Sequence, residues 1–205
     1  MNQDEFFTKW SALHGSAEVK GIVRLWLTVS FVMAKGFSLL KVSPNLLTLI
    51  GLLLACAMVL SPLSILAIVL LVLSLMADGI DGSLAILTSK ESKWGSALDA
   101  VADRISEAIW LYVAYRAGVS LGIAITLWIV ASTQEYARAR VASLGYSTID
   151  LVTPTERPVR ASAVFIILVA AQLELPIIGF VALLLLLAQV VSLLLVMRNA
   201  YNALR

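Results

Sequence analysis

The sequence predicts an all-α integral membrane protein, with six transmembrane helices preceded by an N-terminal interfacial amphipathic helix. Three observations carry that expectation. Of 205 residues, 60% are hydrophobic and only 14% charged, against roughly 45–50% apolar and about 25% charged in an ordinary soluble domain. The mean hydropathy is +0.96. Apolar runs recur from Leu46 to Met197, which excludes a soluble globule and leaves little chain for a separate aqueous domain.

Residues 1–42 read as an N-terminal cytoplasmic segment with the interfacial helix, and residues 43–205 as one six-helix membrane domain. MNQDEFFTKW lacks the basic and apolar regions of a cleaved signal, so the first residues are expected to be retained. The run from Lys20 to Lys41 holds an apolar stretch, Ile22 to Ala34, too short to span and interrupted by Arg24. Lys20, Arg24, Thr28 and Lys35 share one helical face, which suits a helix lying among lipid headgroups better than a seventh span.

A spanning helix needs about 20 mostly apolar residues, and six segments supply them: Asn45 to Ser61, Leu63 to Leu87, Gly95 to Arg116, Val119 to Ala142, Val159 to Leu175 and Ile177 to Met197. The breaks have a chemistry of their own. Pro44 follows Ser43 as a first-turn proline would, Ser61-Pro62 and Leu175-Pro176 make turns, and Gly118 separates the third span from the fourth. With six spans, both termini and the loops at 88–94 and 143–158 share a side that collects nearly all the cations, while the other side has Arg116 alone. That bias places both termini and those loops in the cytoplasm.

Cys56 is the one cysteine and His14 the one histidine, so neither a disulfide framework nor a His/Cys metal cluster can form. The acids are more informative, because four of the six aspartates lie inside the second and third spans. Asp78, Asp81, Gly82 and Ala85 fall on one helical face, and Gly95, Asp99 and Asp103 fall on another. Each aspartate costs about 2.5–3.5 kcal/mol at a helix centre in a bilayer, and clustered carboxylates raise one another's pKa. Either they hold protons or cations neutralise them, and an all-oxygen set suits Mg²⁺ or Mn²⁺. At 1.5 Å per residue, Asp99 and Asp103 lie about 6–12 Å inside the cytoplasmic end of their helix. That depth can be reached from water and from the lipid leaflet. Gly82, Ala85 and Gly95 leave room for a bulky group to approach the backbone or for a close helix contact.

The pattern D-x-x-D-G-x-x-A followed by G-x-x-x-D-x-x-x-D, running from Asp78 to Asp103, resembles the signature of the CDP-alcohol phosphatidyltransferases. The resemblance implies a transferase of phospholipid biosynthesis that moves a phosphatidyl group from CDP-diacylglycerol to a polar alcohol and releases CMP. It further implies Asp78, Asp81, Asp99 and Asp103 as metal ligands, with Asp103 also the catalytic base, and Asp78, Asp81, Gly82, Ala85 and Gly95 as the CDP site. One departure stands out: Ile86 occupies the position after the alanine where the family usually has Arg, and Lys90 and Lys93 in the next loop are the candidates to supply that charge.

On the acceptor side, Tyr136-Ala137-Arg138-Ala139-Arg140 and Glu156-Arg157-Pro158-Val159-Arg160 resemble segments of the family's phosphatidylinositol phosphate synthase branch. That likeness implies an acceptor phosphate, as on inositol phosphate or glycerol phosphate, held by Arg138, Arg157 and Arg198. Residues two apart on a helix point different ways, so Arg138 and Arg140 are not expected to share a pocket. Positive-inside topology alone accounts for several of these arginines, and Thr153 to Glu156 has the form of a capping box that would start a helix. The implied partners are the two substrates, membrane lipids and a second copy in a homodimer, with no nucleic acid, at the plasma membrane with the active site facing the cytoplasm. Two other readings stay open: an ion or proton transporter with the four aspartates as its relay, and an inactive homologue, which Ile86 would suit.

Overall fold

The structure is a computed structural model and describes residues 1–13, 15, 17–146 and 152–205. His14 lies outside the described residues, as does part of the loop expected at 143–158. Among the described residues there are eight helices and no strands: α1 Gln3–Leu13, α2 Gly21–Leu39, α3 Pro44–Leu60, α4 Ile65–Thr88, α5 Lys93–Arg116, α6 Leu121–Ser143, α7 Arg157–Gln172 and α8 Ile178–Leu204. α4 and α8 are each long and apolar enough to cross a membrane. α3 and α7 are shorter, with 17 and 16 residues, and the apolar run of α5 is interrupted by Asp99, Asp103, Arg104 and Glu107. The axes of α2 (from Val23) and α3 differ by 110°.

The helix boundaries follow local chemistry. α2 stops where Lys41 turns left-handed at φ 57°, and α3 begins at Pro44 with the Ser43 hydroxyl accepting from the Leu46 N–H at 3.2 Å. Gly118, at φ 115°, makes the turn between α5 and α6, where Ser120 caps α6 by accepting from the Ile123 N–H. Two ends differ from expectation. The Thr153–Glu156 box forms, but as a tight turn in which the Glu156 carboxylate accepts from the Thr153 N–H at 2.7 Å. The helix starts after it at Arg157, because Pro158 suits the first turn. α1 was not expected at all. It is started by a reciprocal pair in which the Glu5 N–H donates to Asn2 Oδ1 at 2.8 Å and the Asn2 N–H to Glu5 Oε2 at 3.0 Å.

The described residues form two compact units. The first comprises Met1–Cys56 and Val72–Ile105. Its core joins Ala34, Leu47, Ala77, Ile80 and Leu84 from α2, α3 and α4. α3 and α4 touch closely at Gly51: a Cβ there would lie 3.3 Å from both the Ala77 Cβ and the Ser74 carbonyl, and the Ser74 hydroxyl donates to the Gly51 carbonyl at 2.8 Å. A second cluster seats Phe6 of α1, which is fully buried, against Leu27, Phe31 and Ile86.

The second unit comprises Ala57–Leu71 and Ser106–Arg205. α6 and α7 pack on α8, and Ala114, Val119, Ala124, Ile167 and Ala182 form a shared core. Two buried polar pairs lie inside this unit: Gln189 Nε2 of α8 donates to Gln134 Oε1 of α6 at 2.9 Å, and the hydroxyl of Thr155, in the turn before α7, donates to Ser192 Oγ of α8 at 2.7 Å. Arg116, at the C-terminus of α5, donates to the Val59 carbonyl at 2.7 Å, so a cation sits on the last turn of α3 where free carbonyls face it.

Candidate metal centre and anion-binding residues

Within the first unit, α4 and α5 are joined by four residues, Ser89 to Ser92, so the two acidic faces come together early in the fold. The Ser92 hydroxyl caps α5 by accepting from the Gly95 N–H at 2.9 Å. One carboxylate oxygen from each of Asp78, Asp99 and Asp103 can lie within 4.8 Å of the other two, and all three side chains are half-buried. Three carboxylates so close repel one another unless protons or a cation intervene. Their donor set is hard oxygen alone and is partly open to solvent, which fits a divalent ion such as Mg²⁺ or Mn²⁺ with further positions left for water or phosphate oxygens.

Asp81 is not part of this trio. It is buried, and its Oδ2 accepts a hydrogen bond from the Thr48 hydroxyl on α3. Thr48 is a partner that sequence spacing did not reveal, since 33 residues separate the two. Of the small residues, Gly82 is exposed with nothing within 4 Å of where a Cβ would stand, so a ligand or a lipid can reach the backbone there. Gly95 has a different local reason to be small, because its Cβ would meet Ser92 Oγ at 3.0 Å and Asn45 Oδ1 at 3.1 Å. Ala85 is half-buried, and Lys90 and Lys93 are exposed at the α4–α5 connection. Ile86, by contrast, is 4% exposed beneath Phe6.

In the second unit, the acceptor-side arginines sit in a chain of acids. Arg138 grips Glu156 with both terminal nitrogens, at 3.0 and 2.7 Å. Arg160 is buried and reaches three groups, pairing with the buried Glu107 carboxylate, donating to the Thr155 carbonyl at 2.7 Å and meeting Glu135 at 3.3 Å. Arg157 stacks over the Trp110 ring at 5.1 Å. Arg140 points elsewhere and is exposed, as is Arg198 on α8. Glu107 was not singled out from sequence, although it extends the Gly95, Asp99, Asp103 row of α5 by one more step of four.

Burial alone would raise the Glu156 carboxyl, but the Arg138 bond and the Thr153 N–H and hydroxyl outweigh it and hold the group at about 2 instead of 4.5. A depressed carboxylate stabilises the fold above its unfolded value and loses that contribution as pH falls towards its folded one. Glu156→Gln should therefore be less stable than the parent above pH 4.5, with the gap closing between pH 4.5 and about 2. Thermal unfolding in detergent across that range reads it.

Residues 41–197 match the family model described as CDP-alcohol phosphatidyltransferase. Among characterised relatives, the chain is 34% identical over 118 residues to an archaetidylinositol phosphate synthase of Aeropyrum pernix, covering 55% of this chain and 60% of that one. It is 35% identical over 147 residues to a phosphatidylinositol phosphate synthase of Corynebacterium glutamicum, covering 66% and 64%. The match thus spans less than two thirds of either relative. The fold is that of the Mycobacterium tuberculosis phosphatidylinositol phosphate synthase crystallised with CDP-DAG bound (TM-score 0.66, 17% identity, 85% of this chain and 94% of that one). The same enzyme in complex with manganese and citrate aligns with a TM-score of 0.67 at 18% identity, over 84% and 88%. With its aspartate signature lying inside the matched region, this chain belongs to the CDP-alcohol phosphatidyltransferase family.

Proposed function

We propose that the protein is a membrane enzyme that transfers the phosphatidyl group of CDP-diacylglycerol to a phosphorylated alcohol, inositol phosphate first among the candidates, and releases CMP. The convergence of Asp78, Asp99 and Asp103 is the observation that carries the reading. Family membership supports the reaction, and the names of the Aeropyrum and Corynebacterium relatives support an inositol phosphate acceptor. In this reading Asp78, Asp99 and Asp103 hold Mg²⁺ or Mn²⁺, with Asp81 alongside in helical register. When bound, such an ion supplies positive charge against the pyrophosphate of the donor and the CMP that leaves.

The remaining work falls to the chain's own groups. Asp103 takes the proton of the acceptor hydroxyl as its oxygen attacks the phosphorus of the phosphatidyl group and the bond to CMP breaks. The open face at Gly82, with Ala85 and Gly95, admits the nucleotide, and Lys90 and Lys93 provide mobile charge beside it. Arg138 and Arg157, with Arg198, receive the acceptor phosphate. Because Arg138 already grips Glu156, that phosphate competes with a carboxylate, which favours a doubly charged acceptor over a neutral polyol. The 110° bend between α2 and α3 supports α2 as a surface helix within an N-terminal segment over residues 1–42, ahead of a six-span domain over 43–205. The cation partition supports both termini and the active site facing the cytoplasm, and the plasma membrane is proposed as the location. Assembly is proposed as a homodimer.

The test is CMP release from CDP-diacylglycerol in mixed micelles with inositol phosphate, inositol, glycerol phosphate or serine as acceptor. Release with inositol phosphate that EDTA abolishes and Mg²⁺ restores is the expected result. Release that needs no metal, or none with any acceptor, contradicts it.

A further inference from the structure

The four residues between the two aspartate-bearing helices are fixed one by one. α4 ends in a Schellman-type turn, with the Lys90 N–H on the Ala85 carbonyl at 2.9 Å and the Ser89 N–H on the Ile86 carbonyl at 3.3 Å. Ser89 holds φ 52°, the left-handed conformation that closes such a turn, as Lys41 and Glu174 do after α2 and α7. What sets this turn apart is that the N-terminal helix also holds it, from outside the site. Lys9 Nζ donates to the Ile86 carbonyl at 3.5 Å, placing a cation on the last turn of α4, and forms an ion pair with Glu91 inside the loop. Phe6, one turn earlier on α1, is fully buried against Ile86 and lies 5.3 Å from the Phe31 ring of α2. Ile86 is thus the socket for α1 and also the carbonyl on which Lys9 rests.

We propose that α1 braces the metal site. By seating Phe6 on Ile86 and Lys9 between the Ile86 carbonyl and Glu91, it fixes the α4–α5 loop and sets the spacing of Asp78 from Asp99 and Asp103. Phe6 and Lys9 are positioning residues in this account and touch neither metal nor substrate. The proposal rests on the reading of the three aspartates as a metal site. Metal–oxygen bonds to an ion of this size tolerate only a few tenths of an ångström, so a loop that lets the two helices tilt weakens every bond at once.

The experiment uses the full chain in detergent, stripped of metal and titrated with Mn²⁺ by electron paramagnetic resonance. Deuterium exchange of residues 89–92 is followed in parallel. Lys9→Met should raise the Mn²⁺ dissociation constant about tenfold, the lower end for groups that orient ligands indirectly, and should speed exchange of the loop in the metal-free protein. Lys9→Arg should restore both to within about twofold of the parent, which a role in bulk stability alone would not require. Phe6→Ala should lose at least as much affinity as Lys9→Met. Unchanged Mn²⁺ affinity in Lys9→Met, whether or not the loop exchanges faster, overturns the brace and leaves the metal site intact. A parent protein that binds no Mn²⁺ overturns the metal site itself, and the brace with it.

Discussion

Asp103→Asn should fold, insert and bind lipid as the parent does, yet release CMP at about one thousandth of its rate or less. The substitution is nearly isosteric, so α5 keeps its packing, while the side chain loses the charge and basicity that both proposed roles need. A positioned general base contributes about 10²- to 10⁴-fold, and the same change replaces one of three carboxylates gathered around the metal position with a neutral amide. Asp78→Asn separates the two losses, since it should raise the Mg²⁺ concentration required and recover much of its rate at saturating metal. Steady-state CMP release at graded Mg²⁺ reads both variants. Turnover near the parental rate by Asp103→Asn at saturating metal would remove Asp103 from the chemistry.

Glu107→Gln should produce the largest loss of stability. Glu107 and Arg160 are 2% and 4% exposed and form an ion pair inside the second unit. Neutralising one partner strands the other charge in a low dielectric, at a cost of about 3–5 kcal/mol. Arg160 would keep its bonds to the Thr155 carbonyl and Glu135, which places the loss towards the lower end. Replacing both partners together, as in Glu107→Leu with Arg160→Met, removes the stranded charge and should recover part of that loss, the rest remaining because the Thr155 carbonyl loses its donor. Its acceptor KM should rise nonetheless, because Glu135 and through it Arg138 lose a fixed neighbour. Thermal unfolding in detergent decides the point. A Glu107→Gln protein as stable as the parent would mean that the pair carries no structural weight.

What could be read from the sequence, and what could not, follows the range of the interactions. Helix breaks at Pro44, Pro62 and Gly118 and the pairing of two acidic faces across a four-residue loop are local or periodic signals, and the structure places them accordingly. The α1 helix had a local signal too, Asn2 and Glu5 in capping register, but its polar composition hid it among residues expected to lie outside the membrane domain. Two contacts had no local signal. Thr48 meets Asp81 and Phe6 meets Ile86 only through packing of helices far apart in sequence. The isoleucine where the family usually has arginine read only as an absent charge, and its packing as a buried socket for α1 had no sequence signal. Arginine introduced there would be forced into that apolar cluster. The acceptor arginines were legible as a group, but their pairing with Glu107, Glu135 and Glu156 was not, because positive-inside topology and a built anion site write the same residues into the same loops.

Whether three aspartates from two adjacent helices hold a divalent ion is tested most directly by anomalous diffraction at the manganese edge, from protein crystallised with Mn²⁺. The expected result is a peak about 2.0–2.6 Å from carboxylate oxygens of Asp78, Asp99 and Asp103 together. A map in which those side chains point apart and the manganese lies elsewhere would contradict it.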